Sequence, residues 1–318
     1  MPVPHRMIPA VAPRVLRALC VTAVAGAVTW AVMTALPGDP AVMASRTGDP
    51  ATVARLRAEM GLDRPFAVRW AQWAAGIATG DGGELLAAGT PTWRAVAGPA
   101  RNSAALLLLT LPLMWLIGWA TGAAAGMRAG SRRDAALSGG AQATLSVPDF
   151  ALTTLLVVVL AGILRWLPAV SILPPGASPF ARPEALIIPV LAIVAPGAAW
   201  LQRMVRGAVA DAAAQPHVRA ARLSGAHPAT VLLRDIAPVA RGPLAQASAG
   251  VVPYAIAGTV VVENVTGYPG AGTLLASLIA GREADAVASI TLVLAGVTST
   301  AFLVADLVGG EARKETVR

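Results

Sequence analysis

Across 318 residues there is one lysine, one cysteine and only three histidines, and charged side chains make up just 13% of the chain. Each scarcity removes a class of function. The sole lysine, Lys314, stands near the C-terminus and no G-x-x-x-x-G-K-[ST] loop exists, so the chain cannot hydrolyse ATP by that route. His5, His217 and His227 show neither H-E-x-x-H spacing nor nearby carboxylates at ligand spacing, which argues against a metal site and an intramembrane metalloprotease. No nucleophile and base stand together in a catalytic pattern, so no catalytic residues are expected. Cys20 has no partner for an intrachain disulfide, and cysteine usage therefore says nothing about the compartment.

What is abundant is apolar. Hydrophobic residues reach 56% and mean hydropathy is +0.64, whereas a soluble domain carries roughly a quarter charged residues. The apolar residues gather in six runs, approximately 15–36, 104–127, 141–166, 186–209, 245–262 and 286–308. Each is near the ~20 residues that cross a hydrocarbon core as a helix. The chain is therefore expected to be an all-α, polytopic membrane protein with about six transmembrane helices and the bilayer as its solvent. The fourth run holds Pro189 and Pro196 and ends on Arg203 and Arg206, so it is expected to be kinked or partly cytoplasmic. Arg14 and Arg17 precede the first run, but its length and the following Leu36-Pro37-Gly38-Asp39-Pro40 do not suit a cleaved signal peptide.

The net charge of +8 does not point to nucleic acid, because the arginines are dispersed between apolar runs rather than grouped with aromatic residues. Topology accounts for them. Residues 203–241 carry six arginines against Asp211 and Asp235, and residues 127–134 carry Arg128, Arg132 and Arg133. Both loops read as cytoplasmic, as do both termini, while the loops with Glu263, Glu283 and Asp285 opposite Arg282 read as external. The expected division is a cytoplasmic 1–14, a first span 15–36, an external segment 37–103, a five-helix core 104–308 with a cytoplasmic loop 210–243, and a cytoplasmic 309–318.

Within the external segment, residues 52–73 form a polar helical stretch interrupted by Pro65, and a short helix against the outer membrane face is expected. Gly118, Gly122 and Gly126 repeat every four residues and place small residues on one face of the second span, a stripe for close helix packing. Gly176-Ala177-Ser178 and the glycine-rich 267–272 read as turns rather than as a protease site or a phosphate loop. Residues 215–234 read as a helix, a turn at Gly225 and a second helix, a shape suited to a partner's groove.

Several segments, in order along the chain, resemble the dipeptide, oligopeptide and nickel branch of binding-protein-dependent ABC importer permeases. They are Leu36-Pro37-Gly38-Asp39-Pro40, residues 56–65, Ser146-Val147-Pro148-Asp149-Phe150, Trp166-Leu167-Pro168, and Val262-Glu263-Asn264-Val265 with Tyr268-Pro269-Gly270. The family's coupling motif maps onto Arg219-Ala220-Ala221, Gly225 and Pro238, with Arg219 in place of the usual Glu, and Arg222 lies within the same helix. The resemblance implies the type I ABC importer permease fold. It implies a cell-membrane subunit working with a second homologous permease, two ABC ATPases and an extracytoplasmic substrate-binding protein. Any ATP and magnesium would be bound by the ATPases, so no cofactor is expected in this chain. The cargo it implies is a peptide, or a nickel or metallophore complex.

Ionisable groups at membrane depth are costly and tend to serve function, which singles out Asp149, Glu263 and Asp306 as translocation-path candidates. Asp149 would suit a cationic peptide amino end or a metal complex; the competing reading is a helix-end carboxylate paired with an arginine such as Arg128. Six spans with broken helices also suit a stand-alone secondary transporter or channel, but no inverted repeat is evident and the hairpin would then lack a purpose.

Overall fold

The computed structural model of the protein describes residues 8–45, 48–86, 88–174 and 176–315; His5 and the ends of both tails lie outside the described residues. The chain is helical, and among the described residues the one extended pairing is an isolated bridge between Glu84 and Pro91. The helices are α1 (Ile8–Ala35), α2 (Pro40–Ala44), α3 (Pro50–Glu59), α4 (Phe66–Ala78), α5 (Thr92–Gly126), α6 (Arg132–Leu145) and α7 (Asp149–Leu156). They continue with α8 (Pro183–Ala213), α9 (Pro216–Leu223), α10 (Pro228–Thr230), α11 (Ala237–Thr266), α12 (Ala271–Ala280) and α13 (Ala284–Glu315). Two π-helical stretches intervene, Val157–Ile163 after α7 and Val231–Ile236 between α10 and α11. Among the described residues five helical stretches are long and apolar enough to cross a membrane, or six if α6 and α7 with its π extension make one bent span. Two compact units emerge.

One unit comprises residues 16–103 and 269–299. Two Gly-Asp-Pro triplets organise its short helices. Asp39 accepts from the Ala41 amide at 2.9 Å and caps α2, and Asp49 accepts from the Thr52 amide at 3.0 Å and caps α3. In each case proline takes the first helical position, where its missing N–H is no loss. Arg57 of α3 pairs with Asp39 and joins the two helices. The polar stretch expected as one short helix is therefore two: α3 ends with Met60 as its cap, followed by Gly61 at φ +64°, and Pro65 caps α4.

The core of this unit is aromatic. Trp30 is fully buried, meets Phe66 edge-on at 5.1 Å and stacks on Trp73 at 6.4 Å. The polar edges of both indoles are satisfied across the unit: Trp30 Nε1 donates to Asp285 at 2.6 Å and Trp73 Nε1 to Ser289 at 3.2 Å. Arg69 lies over the Trp30 ring at 5.7 Å.

The other unit contains residues 104–268 and the end of α13. Its centre is α8, with 67% of its most apolar window buried. The helix expected to be kinked or partly cytoplasmic is continuous through Pro189 and Pro196 over 31 residues. At 1.5 Å per residue it is about 46 Å long, so its Arg203 and Arg206 end extends beyond a ~30 Å hydrocarbon core without a break. The glycine stripe of α5 lies directly on it. Methyl groups added at Gly118, Gly122 and Gly126 would sit 2.7 Å from Leu201, 2.7 Å from Val205 and 2.7 Å from the Arg206 carbonyl oxygen, respectively. Both helices advance by four residues per contact, so bare backbone on one receives a row of side chains from the other.

The third apolar run, 141–166, is not one helix. Residues up to 145 end α6, and α7 with its π extension leaves at a bend of 94°. Pro148 explains the break: it disfavours helical backbone at Val147 and opens α7 as its cap residue. The turn expected at 267–272 is present. Gly267 adopts φ +69° after α11, and the Tyr268 side chain is fully buried beside it.

Candidate functional site

The loop between α8 and α11 carries α9, opened by Gln215 as cap and Pro216 at the first position. Gly225 follows with φ +80° and open space around it, the left-handed residue that turns the chain. His227 Nδ1 then accepts from the Ala229 amide at 3.3 Å. The hairpin's second arm is not the short helix expected from sequence. From Pro228 to Thr266 the helix is continuous through its π turns, so this arm is the root of a membrane span. Pro238 has no N–H to offer the Arg234 carbonyl, in keeping with the loosened turns that precede it.

Three fully buried side chains root the hairpin in the core of its unit: Val218 on α9, and Val231 and Ile236 on the returning arm. Arg222 Nη2 donates to the Met127 carbonyl at the end of α5, 3.2 Å away. Ala221 packs inward, while Arg219, Ala220, Gly225 and Pro238 are exposed. Leu223, at the very end of α9, is 91% exposed. Sequence reasoning passed over Leu223; its signal was a leucine one position outside the buried helical spacing and two before the turning glycine.

A second fastening lies beside the hairpin. Asp134 of α6 receives both Nε and Nη2 of Arg206 from α8, at 3.0 and 2.7 Å, together with the Gly130 amide at 2.9 Å and the Ser138 hydroxyl at 3.0 Å. Arg206 therefore does more than mark topology. The 127–134 loop is held by Arg222 at one end and by Arg206 at the other.

Between α8 and α11, with Phe302 of α13 at its edge, runs a groove of about 880 Å³ lined by Trp200, Arg203, Met204, Asp211 and Gln246 among others. Asp306 accepts from the Gln246 side-chain amide at 2.7 Å. Asp149 stands partly exposed at the first position of α7. Glu263 is fully buried near the end of α11 and does not line the groove. Of the three candidate carboxylates, only Asp306 bonds a residue that lines the groove. Among the described residues, no three His, Cys, Asp or Glu side chains gather to hold a metal.

Long apolar helices, a helical hairpin on a fixed mount and a groove between spans define a transport component. Residues 116–310 match the family described as binding-protein-dependent transport system inner membrane component, and residues 7–93 match the N-terminal region of such membrane components. The chain belongs to this family of ABC importer inner-membrane subunits. It is similar to a probable peptide ABC transporter permease protein, y4tP, of Sinorhizobium fredii, 28% identical over 92% of this chain and 94% of the relative. A putative peptide transport system permease protein of Brucella abortus is 29% identical over 88% of this chain and 90% of its own. The oligopeptide transport system permease protein AppB of Bacillus subtilis is 26% identical over 88% and 90%. The chain is accordingly a multi-pass inner-membrane transport component rather than an enzyme, within a family that works with ATPase and substrate-binding partners and has no cofactor of its own.

Proposed function

We propose that this chain is one of two homologous permease subunits enclosing the path of peptides across the inner membrane, and that α9 with Gly225 is where a separate ATPase docks. The observation that carries this is the mounting of Leu223: an apolar side chain 91% exposed, at the end of a helix whose Val218 is fully buried. A rigid helix offering one bare leucine beside Arg219 suits a groove on a partner. The cargo reading leans on the relatives, whose printed names carry peptides and oligopeptides. The arginine excess of 203–241 supports a cytoplasmic hairpin and cytoplasmic termini.

In this mechanism ATP-driven closure of two ATPases displaces the hairpins. The displacement passes into α11 directly, and into α5 through Arg222 and Met127. The groove between α8 and α11 then alternates between the two sides, receiving peptide from an external binding protein. Asp149 and Asp306, with Glu263 as the third candidate, supply acidic character along the path. Reconstitution tests the whole: vesicles holding the two permeases and the ATPases, given binding protein and a labelled tripeptide, should take it up only with ATP. Hydrolysis of ATP by this chain after removal of every ATPase, or labelling of Ala226→Cys by an impermeant reagent outside intact cells, would overturn the assignment.

A further inference from the structure

The groove between α8 and α11 is long and mostly uncharged. Its α8 wall extends from Trp200 to the α9 cap Gln215, with lining residues at the three- and four-residue spacing of one helix face. The α11 wall offers Val239, Pro243, Ala247 and Pro253. Among the described residues only two ionisable side chains line the groove, Arg203 and Asp211, both exposed and both on α8. Eight residues separate them, so at 1.5 Å per residue their Cα atoms stand about 12 Å apart along the axis. Neither side chain makes an ion pair or a hydrogen bond with another described residue. Arg206, between them in sequence, is engaged by Asp134 of α6. The groove therefore carries one uncommitted cation and one uncommitted anion in a fixed order, the guanidinium nearer the middle of α8 and the carboxylate nearer the hairpin. Arginine excess accounts for Arg203 as a topological charge but gives Asp211 no role.

A free peptide has charges that match this arrangement. Its ammonium and carboxylate are held apart by about 3.3–3.6 Å of extended chain per residue, so three or four residues span roughly 10–14 Å and a single amino acid cannot reach both positions. We propose that Arg203 receives the terminal carboxylate, and Asp211 the terminal ammonium, of a peptide of three or four residues lying along the groove. A guanidinium takes a carboxylate through two parallel N–H bonds, and an ammonium brings three donors to a carboxylate. Gln246, on the facing wall, gives an amide N–H to Asp306 at 2.7 Å, which leaves its carbonyl oxygen to accept an N–H from the peptide backbone. The apolar remainder of that wall meets the peptide's side chains without hydrogen-bonding demands and so selects little among them. The inference rests on the peptide reading above and adds to it a length and a direction.

The test uses the purified importer complex, two permeases with their ATPases, and reads the tryptophan fluorescence difference between the wild type and Trp200→Phe, because Trp200 lies on the groove wall. The titrants are trialanine, N-acetyl-trialanine, trialanine amide and free alanine. Trialanine should change the signal saturably. Blocking either end should raise the half-saturating concentration about threefold, the worth of one solvent-exposed ion pair, and free alanine should respond more weakly than either blocked peptide. Asp211→Asn should erase the penalty for acetylation and keep the penalty for amidation; Arg203→Gln should do the reverse. A general loss of packing would not produce that crossed pattern, and if one variant fails to assemble the other decides by the same criterion. Equal responses to free and blocked peptides, no response to any of them, or both penalties intact in an assembled variant would each overturn the subsite. Vesicle uptake of trialanine with binding protein present separates the two ideas: uptake without discrimination sinks only the subsite, whereas absent uptake sinks the peptide reading itself.

Discussion

Arg222 of α9 donates to the carbonyl oxygen of Met127, 3.2 Å away at the end of α5. That carbonyl belongs to the last turn of a helix, where backbone acceptors lack intrahelical donors and a cation is favoured by the helix dipole. One arginine therefore ties the hairpin to a membrane-spanning helix other than the two that flank it in the chain. Reversing its charge in Arg222→Glu should break this tie and set two acceptors against each other. The expected result is a hairpin that exchanges its amide protons faster and an importer whose ATP hydrolysis no longer responds to loaded binding protein. Unchanged exchange over residues 216–226 would show that the contact carries nothing.

Gly225 has φ +80° and nothing within 4 Å of the position a side chain would occupy. Any effect of substitution is therefore backbone strain rather than a clash. Gly225→Val should strain the turn by about 1–3 kcal/mol, whereas Gly225→Asn, whose side chain tolerates the left-handed region, should cost much less. Both should insert in the membrane normally. Uptake and substrate-stimulated hydrolysis should fall together in the valine variant and recover in the asparagine one; equal activity in the two would refute the strain argument.

Val218 and Leu223 sit five residues apart on one short helix and should respond oppositely. Val218→Ala removes fully buried methyl groups and should lower stability by roughly 1–3 kcal/mol. Leu223→Ser removes an exposed side chain and should leave the melting temperature unchanged while reducing co-purification of the ATPase. A stable Leu223→Ser complex with full ATPase recovery would exclude this leucine from the interface.

The glycines of α5 are packing surfaces. At Gly122 a methyl group would meet Val205 at 2.7 Å and the Gln202 carbonyl oxygen at 2.8 Å, and backbone cannot retreat as a flexible side chain can. Gly122→Ala should therefore destabilise by about 1–3 kcal/mol, read as a lowered melting temperature in detergent. Gly139, in α6, has nothing within 4 Å, and Gly139→Ala should be neutral or stabilising by up to about 1 kcal/mol through helix propensity. The same loss at both positions would mean that the glycines of this protein matter for some reason other than contact.

Asp39 supplies a pH dependence. The Arg57 guanidinium bonded to it, and the Ala41 amide it caps, hold its carboxyl below the ordinary carboxylate range. A group whose folded pKa is lowered contributes stability that is present above its unfolded pKa, roughly 4, and is lost as pH falls through the folded value. Because Arg57 is half exposed, the contribution should shrink in salt. Protection of amides 40–59 should thus be steady near neutral pH and decline below about pH 4, with Asp39→Asn already at the low level. A variant matching the wild type at neutral pH would rule the pair out.

The order of the spans, the glycine stripe and the turn at Gly225 were legible because each depends on neighbours within a few positions, whereas the spans at 92–126 and 228–266 run well beyond their apolar cores. The third run was misjudged at Pro148, where continuous apolar character concealed a 94° bend. In α8, by contrast, Pro189 and Pro196 lie within one continuous helix. The pairs that organise the interior join residues far apart in the chain. Asp134 and Arg206 are 72 positions apart, and Trp30 and Asp285 are 255 apart. Hydropathy and periodicity hold no information about such partners, so Arg206 read as a topological charge and Asp285 as an external one.

From Pro228 to Thr266 the helix runs without interruption for 39 residues, about 58 Å at 1.5 Å per residue. Mechanically this is a beam with one end in the hairpin and the other at Gly267. A tilt of about 5° around its midpoint would move each end by roughly 2.5 Å in opposite directions, more than a side-chain contact can absorb. In the π turns of residues 231–236 the hydrogen-bond register is expanded, and Pro243 and Pro253 each remove a further intrahelical bond. Force applied at Leu223 would therefore arrive at the far face of the membrane as torque, attenuated first at the π turns next to where it was applied and again at the two prolines.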